Sequence, residues 1–352
     1  MNQLLTVATQ NHASDVHLHV GEHPLFRING LLTQVKYHPI LAQEMNEIVA
    51  HLAGDSRIES FKDREEFDIS YDVLGVGRYR ANVFRQRACY AVVLRVVPLQ
   101  IKTFGELHLP PVMEKISNLR RGLVLATGAT GNGKSTTVAA IIDHINRNRK
   151  NHIVTIEDPV EFVFLNKSSV ISQREVGSDT ASFNAGLHSA MRQDPDVIFI
   201  GEVRDKETVE IALKAAETGH LVISTIHTPD AQGTVARLIS LFSSDEQPIA
   251  RNRLAQNLMA VVSLRLLLNK QGNGRLPATE VMLVTRSIEE CIRQPEKAGE
   301  MRQFIQKSRE MGMQTFDQNL VQLVQDGSIS LEVAKLAATN PAEIEVMLTI
   351  DR

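Results

Sequence analysis

Apolar and polar positions alternate along the first part of the chain. Across residues 14–20, Val16, Leu18 and Val20 share one face while Asp15, His17 and His19 share the other, the period of a half-buried strand. The next run ends in Asn29-Gly30, a pair that suits the left-handed turn of a hairpin into residues 31–35. A helix is predicted over Leu41–Gly54, and three further strands over residues 67–73, 77–86 and 90–97. One helix among several short strands predicts a small α+β domain over residues 1–98. Pro98, Pro110 and Pro111 then punctuate a stretch without clean period, read as a linker over residues 99–111.

From Leu123 the period changes. Residues 123–127, 152–157, 197–201 and 221–225 are short β-branched apolar runs, as expected of strands buried on both faces of a parallel sheet. Helical spacing lies between them. Val138, Ile141, Ile142 and Ile145 form one stripe, and Val209, Ala212, Leu213 and Ala216 form another that ends at Gly219. A doubly wound α/β core is therefore predicted over residues 112–286, followed by a mostly helical region over 287–352.

The turn between the first of these strands and its helix reads Gly128-Ala129-Thr130-Gly131-Asn132-Gly133-Lys134-Ser135-Thr136, which satisfies G-x-x-x-x-G-K-[ST]. Glycines let backbone amides face phosphates and the helix start adds its positive end. Lys134 is placed to reach the β and γ phosphates, and Ser135 to ligate Mg2+. This predicts a nucleoside triphosphate, ATP or GTP, without saying what its hydrolysis drives.

Hydrolysis also needs a carboxylate beyond the phosphates. Glu202 stands one residue past the apolar run 197–201, at the strand end where such sheets bind ligands, and is the first choice for the catalytic acid. Glu157, Asp158 and Glu161 crowd around Pro159 at another strand end. Three like charges there repel unless a cation compensates, which favours a metal-side role, and spacing does not say which of them acts. His227 follows a third strand and is equally suited to sensing a γ phosphate or capping a loop. His17 and His19 lack a third ligand nearby and read as the polar face of a strand. Arg78, Arg80, Arg85 and Arg87 make a charged strand face, with Arg78 and Arg80 on one side, of the type phosphoryl transfer borrows from a neighbouring subunit.

Composition narrows the classes further. The 352 residues carry 38 Lys and Arg against 41 Asp and Glu, so net charge of -3 gives no reason to expect nucleic acid as a partner. Cys89 and Cys291 are too few for a four-cysteine zinc module or a disulfide framework, which fits a cytoplasmic protein without zinc. No basic segment precedes an apolar one at the start, and no run reaches the length that spans a bilayer, so any membrane role is expected to be peripheral.

Taken in order, SDVHLHV, RYRANVFRQR, GLVLATGATGNGKSTT, VTIEDPVEF, SQREVG, RQDPDVIFIGEVRD, AAETGHLVISTIHT and GMQTFDQNL closely resemble the secretion ATPase superfamily and, within it, the type IV pilus retraction ATPases, the PilT-like group. The resemblance identifies VTIEDPVEF as an Asp box, DPDVIFIGE as a Walker B segment and TGHLVISTIHT as a His box, which raises Glu161, Glu202 and His227 as catalytic candidates. It implies ring homohexamers with a PAS-like N-terminal domain and a RecA-like ATPase domain, ATP bound between them. The phosphate-contacting arginines of the N-terminal domain would be Arg80 and Arg95. It further implies work at the cytoplasmic face of the inner membrane. There an integral platform protein is turned and pilin is withdrawn from the pilus, sometimes beside a paralogous pilus ATPase. The assembly and type II secretion branch usually carries a tetracysteine zinc subdomain, which two cysteines cannot make, so retraction is favoured. One departure stands out: where the retraction motors carry an AIRNLIQ-like helix, this chain has SIEECIR, with Glu289 and Glu290 replacing Arg-Asn. That substitution keeps an accessory, PilU-like role open.

Overall fold

The computed structural model describes residues 1–54, 66–98 and 100–350. Leu99, the first residue of the expected linker, and the last two residues of the expected helical tail lie outside them, as does residues 55–65 of the expected N-terminal domain. The chain divides into two compact units, one of Met1–Gln100 with Glu161–Val163 and one of Ile101–Val160 with Phe164–Arg352.

The first unit is a six-stranded antiparallel sheet. Its strands are β1 (Asp15–His19), β2 (Leu25–Ile28), β3 (Leu31–Gln34), β4 (Glu66–Val73), β5 (Gly77–Gln86) and β6 (Cys89–Val97), ordered β3-β2-β1-β6-β5-β4. Asn29 at φ 51° and Gly30 at φ 84° make the predicted hairpin turn between β2 and β3. The core joins Val16, Leu18, Tyr79, Ala81, Val83, Val92 and Leu94 from the sheet to Met45, Val49 and Leu52 of helix α2 (Ala42–Ala53). Helix α1 (Asn2–Gln10) escaped the pattern reading because it has no capping side chain; its Leu5 and Ala8 are buried, and Tyr79 donates its hydroxyl to Leu5 O at 2.9 Å. Asp15 lies on the face of His17 and His19 yet is only 8% exposed, held by Arg95 at 3.1 Å and Arg27 at 3.7 Å.

The second unit carries a seven-stranded sheet ordered β13-β12-β7-β11-β10-β8-β9. The four apolar runs became β7 (Gly122–Thr127), β8 (His152–Glu157), β10 (Val197–Ile200) and β11 (Leu221–Ile226), parallel and buried nearly throughout. Three strands went unread: β9 (Val170–Glu175), too polar to signal a core strand, and the hairpin β12 (Leu258–Leu268) and β13 (Arg275–Leu283). β12 pairs parallel to β7 and β13 antiparallel to β12, so the sheet is mixed.

Helices α3 (Val112–Ser117), α4 (Lys134–Asn148), α5 (Phe183–Ala190), α6 (Lys206–Glu217), α7 (Ala231–Ser240) and α8 (Gln247–Asn257) connect the strands. Asp205 caps α6 by accepting from Thr208 N at 2.8 Å, and Gly219 follows that helix at φ 105° as predicted. The tail is helical as expected: α9 (Arg286–Arg293), α10 (Met301–Lys307), α11 (Phe316–Gln325), α12 (Leu331–Ala337) and α13 (Pro341–Ile350). Phe316, Leu320, Val321, Ala334 and Ile344 pack on Leu267, Leu276 and Ala278 of the hairpin, which ties the tail to the sheet edge.

Candidate active site at the carboxyl ends of the central strands

β7 delivers the chain into the glycine-rich loop. Gly128 has φ 141°, and a Cβ there would lie 2.5 Å from the Leu264 carbonyl of β12, so only glycine lets the loop leave so close to its neighbour. Gly131 at φ 81° and Gly133 at φ 87° continue the turn, and Lys134 opens α4. The Lys134 ammonium, 7% exposed by residue, folds back to donate to Gly128 O at 2.8 Å and Ala129 O at 3.1 Å. Ala129, Thr130 and Gly131 are exposed at the rim; Asn132 faces β12 and accepts from Leu266 N at 3.4 Å, while Ser135 and Thr136 are half-buried in the first turn of α4.

Lys134 also lies 3.4 Å from His227 Nδ1, just past β11. An ammonium can only donate, so this contact is favourable when Nδ1 is the acceptor. Nε2 is 3.6 Å from Glu202 Oε2, just past β10. Glu202 Oε1 is in turn paired with Arg204. Hydrogen bonding to Glu202, against a burial penalty and with the charges of Glu202 and Asp158 adding, raises the pKa of Arg204. Three residues from three strand ends thus stand in line: ammonium, imidazole, carboxylate.

The Asp-box residues separate. Glu157, 5% exposed, accepts from Thr155 Oγ1 at 2.7 Å and Gln173 Nε2 at 3.0 Å, so neutral donors stabilise it in its buried place. Asp158, at a cis peptide bond with Pro159, is exposed and electrostatically coupled to Arg204. Glu161 is exposed. Arg204 is not evident from the sequence pattern; its place two residues past the candidate acid was the available signal. Among the described residues no group of three or more His, Cys, Asp or Glu side chains is disposed to hold a metal ion.

In the first unit, Arg80 on β5 and Arg95 on β6 are directly opposed across the ladder. Arg95 is paired with Asp15, whereas Arg80 has no ion-pair partner among the described residues. Like charges directly opposed weaken a sheet, a cost that the Asp15 carboxylate beside Arg95 partly offsets. Arg78, which shares Arg80's face, is taken by Asp72 at 3.0 Å.

This arrangement has known counterparts. The model of the Type II/IV secretion system protein family matches residues 1–336. The chain belongs to that family. Members of the Type II/IV secretion system protein family are ATP-hydrolysing enzymes, and this one is a PilT-like ATPase. It is 40% identical over 341 residues to the type IV pilus retraction ATPase PilT of Pseudomonas aeruginosa, covering 97% of this chain and 98% of that one. It is 36% identical to the type IV pilus ATPase PilU of the same organism, covering 99% and 91%. A crystal structure of the pilus retraction motor PilT with bound ADP superposes with a TM-score of 0.88 at 41% identity, covering 99% of both chains. The matched span takes in both units.

Proposed function

We propose that this PilT-like ATPase binds ATP at the loop 128–136 and uses its hydrolysis to drive type IV pilus retraction. The observation that carries the reading is the line Lys134–His227–Glu202, which connects the phosphate loop to a carboxylate at a different strand end. Glu202 orients and deprotonates the attacking water, and Lys134 stabilises charge on the transferring phosphate. His227 holds the carboxylate and the ammonium in register and reports on the γ phosphate. The Ser135 hydroxyl would hold Mg2+, with Glu157 and Asp158 as the nearby carboxylates, and the ion would supply positive charge against the phosphates.

In this reading the first unit is PAS-like and the second RecA-like. The protein works as a homohexamer, and Arg80 and Arg95 complete the site of a neighbouring subunit, with Glu161 acting at the same junction. The half-buried Arg80, with no ion-pair partner among the described residues and opposite another arginine, supports an anionic visitor there. No helix among the described residues is long and apolar enough to cross a membrane. In the same reading the motor acts from the cytoplasmic side on a platform protein of the inner membrane, which it turns to withdraw pilin. The accessory PilU-like role is the second reading, supported by Glu289 and Glu290 of α9, where the residues pair with Arg293 at 3.4 Å and Lys297 at 3.2 Å. A type II secretion or assembly role lacks such support.

Glu202→Gln should keep ATP binding and lower kcat by roughly a hundredfold or more, the usual scale for removing a general base; full turnover in that variant overturns the assignment. Gene deletion separates the readings: loss of a main retraction motor leaves piliated cells that do not twitch, loss of an assembly motor leaves bald cells, and loss of a redundant paralogue leaves the phenotype unchanged.

A further inference from the structure

The turnover scheme leaves one buried acid unused. Glu280 lies on β13, 6% exposed, and its Oε1 accepts the Ala231 amide at 2.9 Å. Ala231 opens α7, four residues after His227. Glu280 also completes a row across four strands: Ile226 of β11 is paired with Thr127 of β7, Thr127 with Ser263 of β12, and Ser263 with Glu280. Inside that row Thr127 Oγ1 donates to Ser263 Oγ at 2.9 Å. The residues next after the row on β7 and β11 are Gly128 of the phosphate loop and His227.

The His227 side chain is 50% exposed, and its contacts to Lys134 and Glu202 are 3.4 and 3.6 Å, too long to fix it alone. Its position therefore depends on the segment that carries it. Thr228 and Thr234 share a hydroxyl contact at 2.7 Å, and Asp230 caps α7 through Gly233 N at 2.6 Å, but both tie the segment only to its own helix. The Glu280–Ala231 bond ties it to the sheet. An unpaired buried acid is costly, and an apolar residue at the edge strand would be cheaper unless the carboxylate is used.

We propose that Glu280 is a positioning residue for ATP turnover, anchoring the start of α7 to the sheet so that His227 stands between Lys134 and Glu202. The inference rests on the role given to His227 above. Several charges face the Glu280 carboxyl: Asp230 from the segment, Arg265 from β12, and Arg302 from α10, itself paired with Asp317 of α11. Burial pushes Glu280 up to about 7, Asp230 adds to this, and the Ala231 amide with Arg265 and Arg302 works against it. The ionised form is the stronger acceptor for the amide, so the anchor tightens as pH rises through that value.

The test is steady-state ATP hydrolysis by the full chain from about pH 5.5 to about pH 9, with the melting temperature of each variant recorded. Glu280→Ala is expected to lower kcat about tenfold with KM within about twofold, the scale for removing the partner that orients a reacting group. Glu280→Gln keeps an oxygen for Ala231 and should retain most of kcat near pH 6, while losing the rise through about pH 7. In a His227→Ala background, Glu280→Ala should cost nothing further. Wild-type kcat in a folded Glu280→Ala protein, a loss confined to KM, the same tenfold loss on top of His227→Ala, or an unaltered pH profile in Glu280→Gln would each overturn the proposal. If Glu280→Ala does not fold, the Glu280→Gln profile decides. A His227→Ala protein with wild-type turnover removes the His227 reading and the proposal together; an inactive His227→Ala beside a fully active Glu280→Ala removes the proposal alone.

Discussion

Replacing Glu280 with glutamine is expected to stabilise the protein at alkaline pH far more than at acid pH. The two side chains have the same shape, and both offer an oxygen to Ala231; only the glutamate titrates. Its pKa is raised from the ordinary 4.5 to about 7 in the folded chain, a gap of 7 − 4.5 = 2.5 units, mainly because burial disfavours the charge. Each unit corresponds to 1.36 kcal/mol, so the full linkage is about 3 kcal/mol. The sign follows from who holds the proton. Below the unfolded pKa both states are protonated and nothing is lost. Between the two values the unfolded chain releases its proton while the folded chain keeps it, and stability falls with rising pH. Above about 7 the folded chain carries the buried charge and the loss is complete. Urea unfolding followed by circular dichroism at pH 5 and pH 8 should therefore show the advantage of Glu280→Gln growing by roughly 2 to 3 kcal/mol between them. Any fixed cost of the amide cancels in that difference. An advantage that stays constant over this range would refute both the raised pKa and the dry surroundings that cause it.

Gly128→Ala should cost about 1 to 3 kcal/mol and weaken nucleotide binding, because φ 141° and the Leu264 carbonyl at 2.5 Å leave a Cβ no room. Gly133→Ala, at φ 87° with nothing within 4 Å, should cost only about 1 kcal/mol; melting curves of the two variants distinguish them. If Arg80 serves a neighbour's nucleotide, mixing inactive Arg80→Ala with inactive Lys134→Ala subunits restores part of the ATPase rate, since some junctions then hold both intact residues. No recovery on mixing would refute the shared site.

How much was legible follows from how locally each feature is encoded. The parallel strands announced themselves because both faces are buried, which leaves Val, Ile and Leu predominant along β7, β8, β10 and β11. The Asn29-Gly30 turn and the phosphate loop were equally plain, since positive φ and close backbone approach demand glycine at fixed places. β9 was hidden by its Ser, Gln, Arg and Glu, half-exposed on a sheet edge. Asp15 keeps its side of the strand, but its burial could not be read because its partners, Arg27 and Arg95, are distant in sequence. The same reason conceals Glu280: in its own segment, ATEVMLV, it is one acid in an apolar run, and its meaning comes from Ala231, 49 residues earlier. Among the Asp-box carboxylates, spacing could not tell buried Glu157 from exposed Asp158 and Glu161, because Thr155 and Gln173 make the difference.

The row Ile226–Thr127–Ser263–Glu280 also says where a chain of this type can change length. The phosphate loop and His227 spring from neighbouring rungs of one parallel ladder, so their separation is measured by backbone register and not by side-chain size. One inserted residue inside β7 or β11 would carry its loop about 3.3 Å onward and turn every following side chain to the other face of the sheet. No repacking restores that. The turn at residues 269–274, between β12 and β13, lies at the far end of the hairpin from the Ser263–Glu280 rung and is free of this constraint. Residues can be gained or lost there while the reactive edge keeps its spacing.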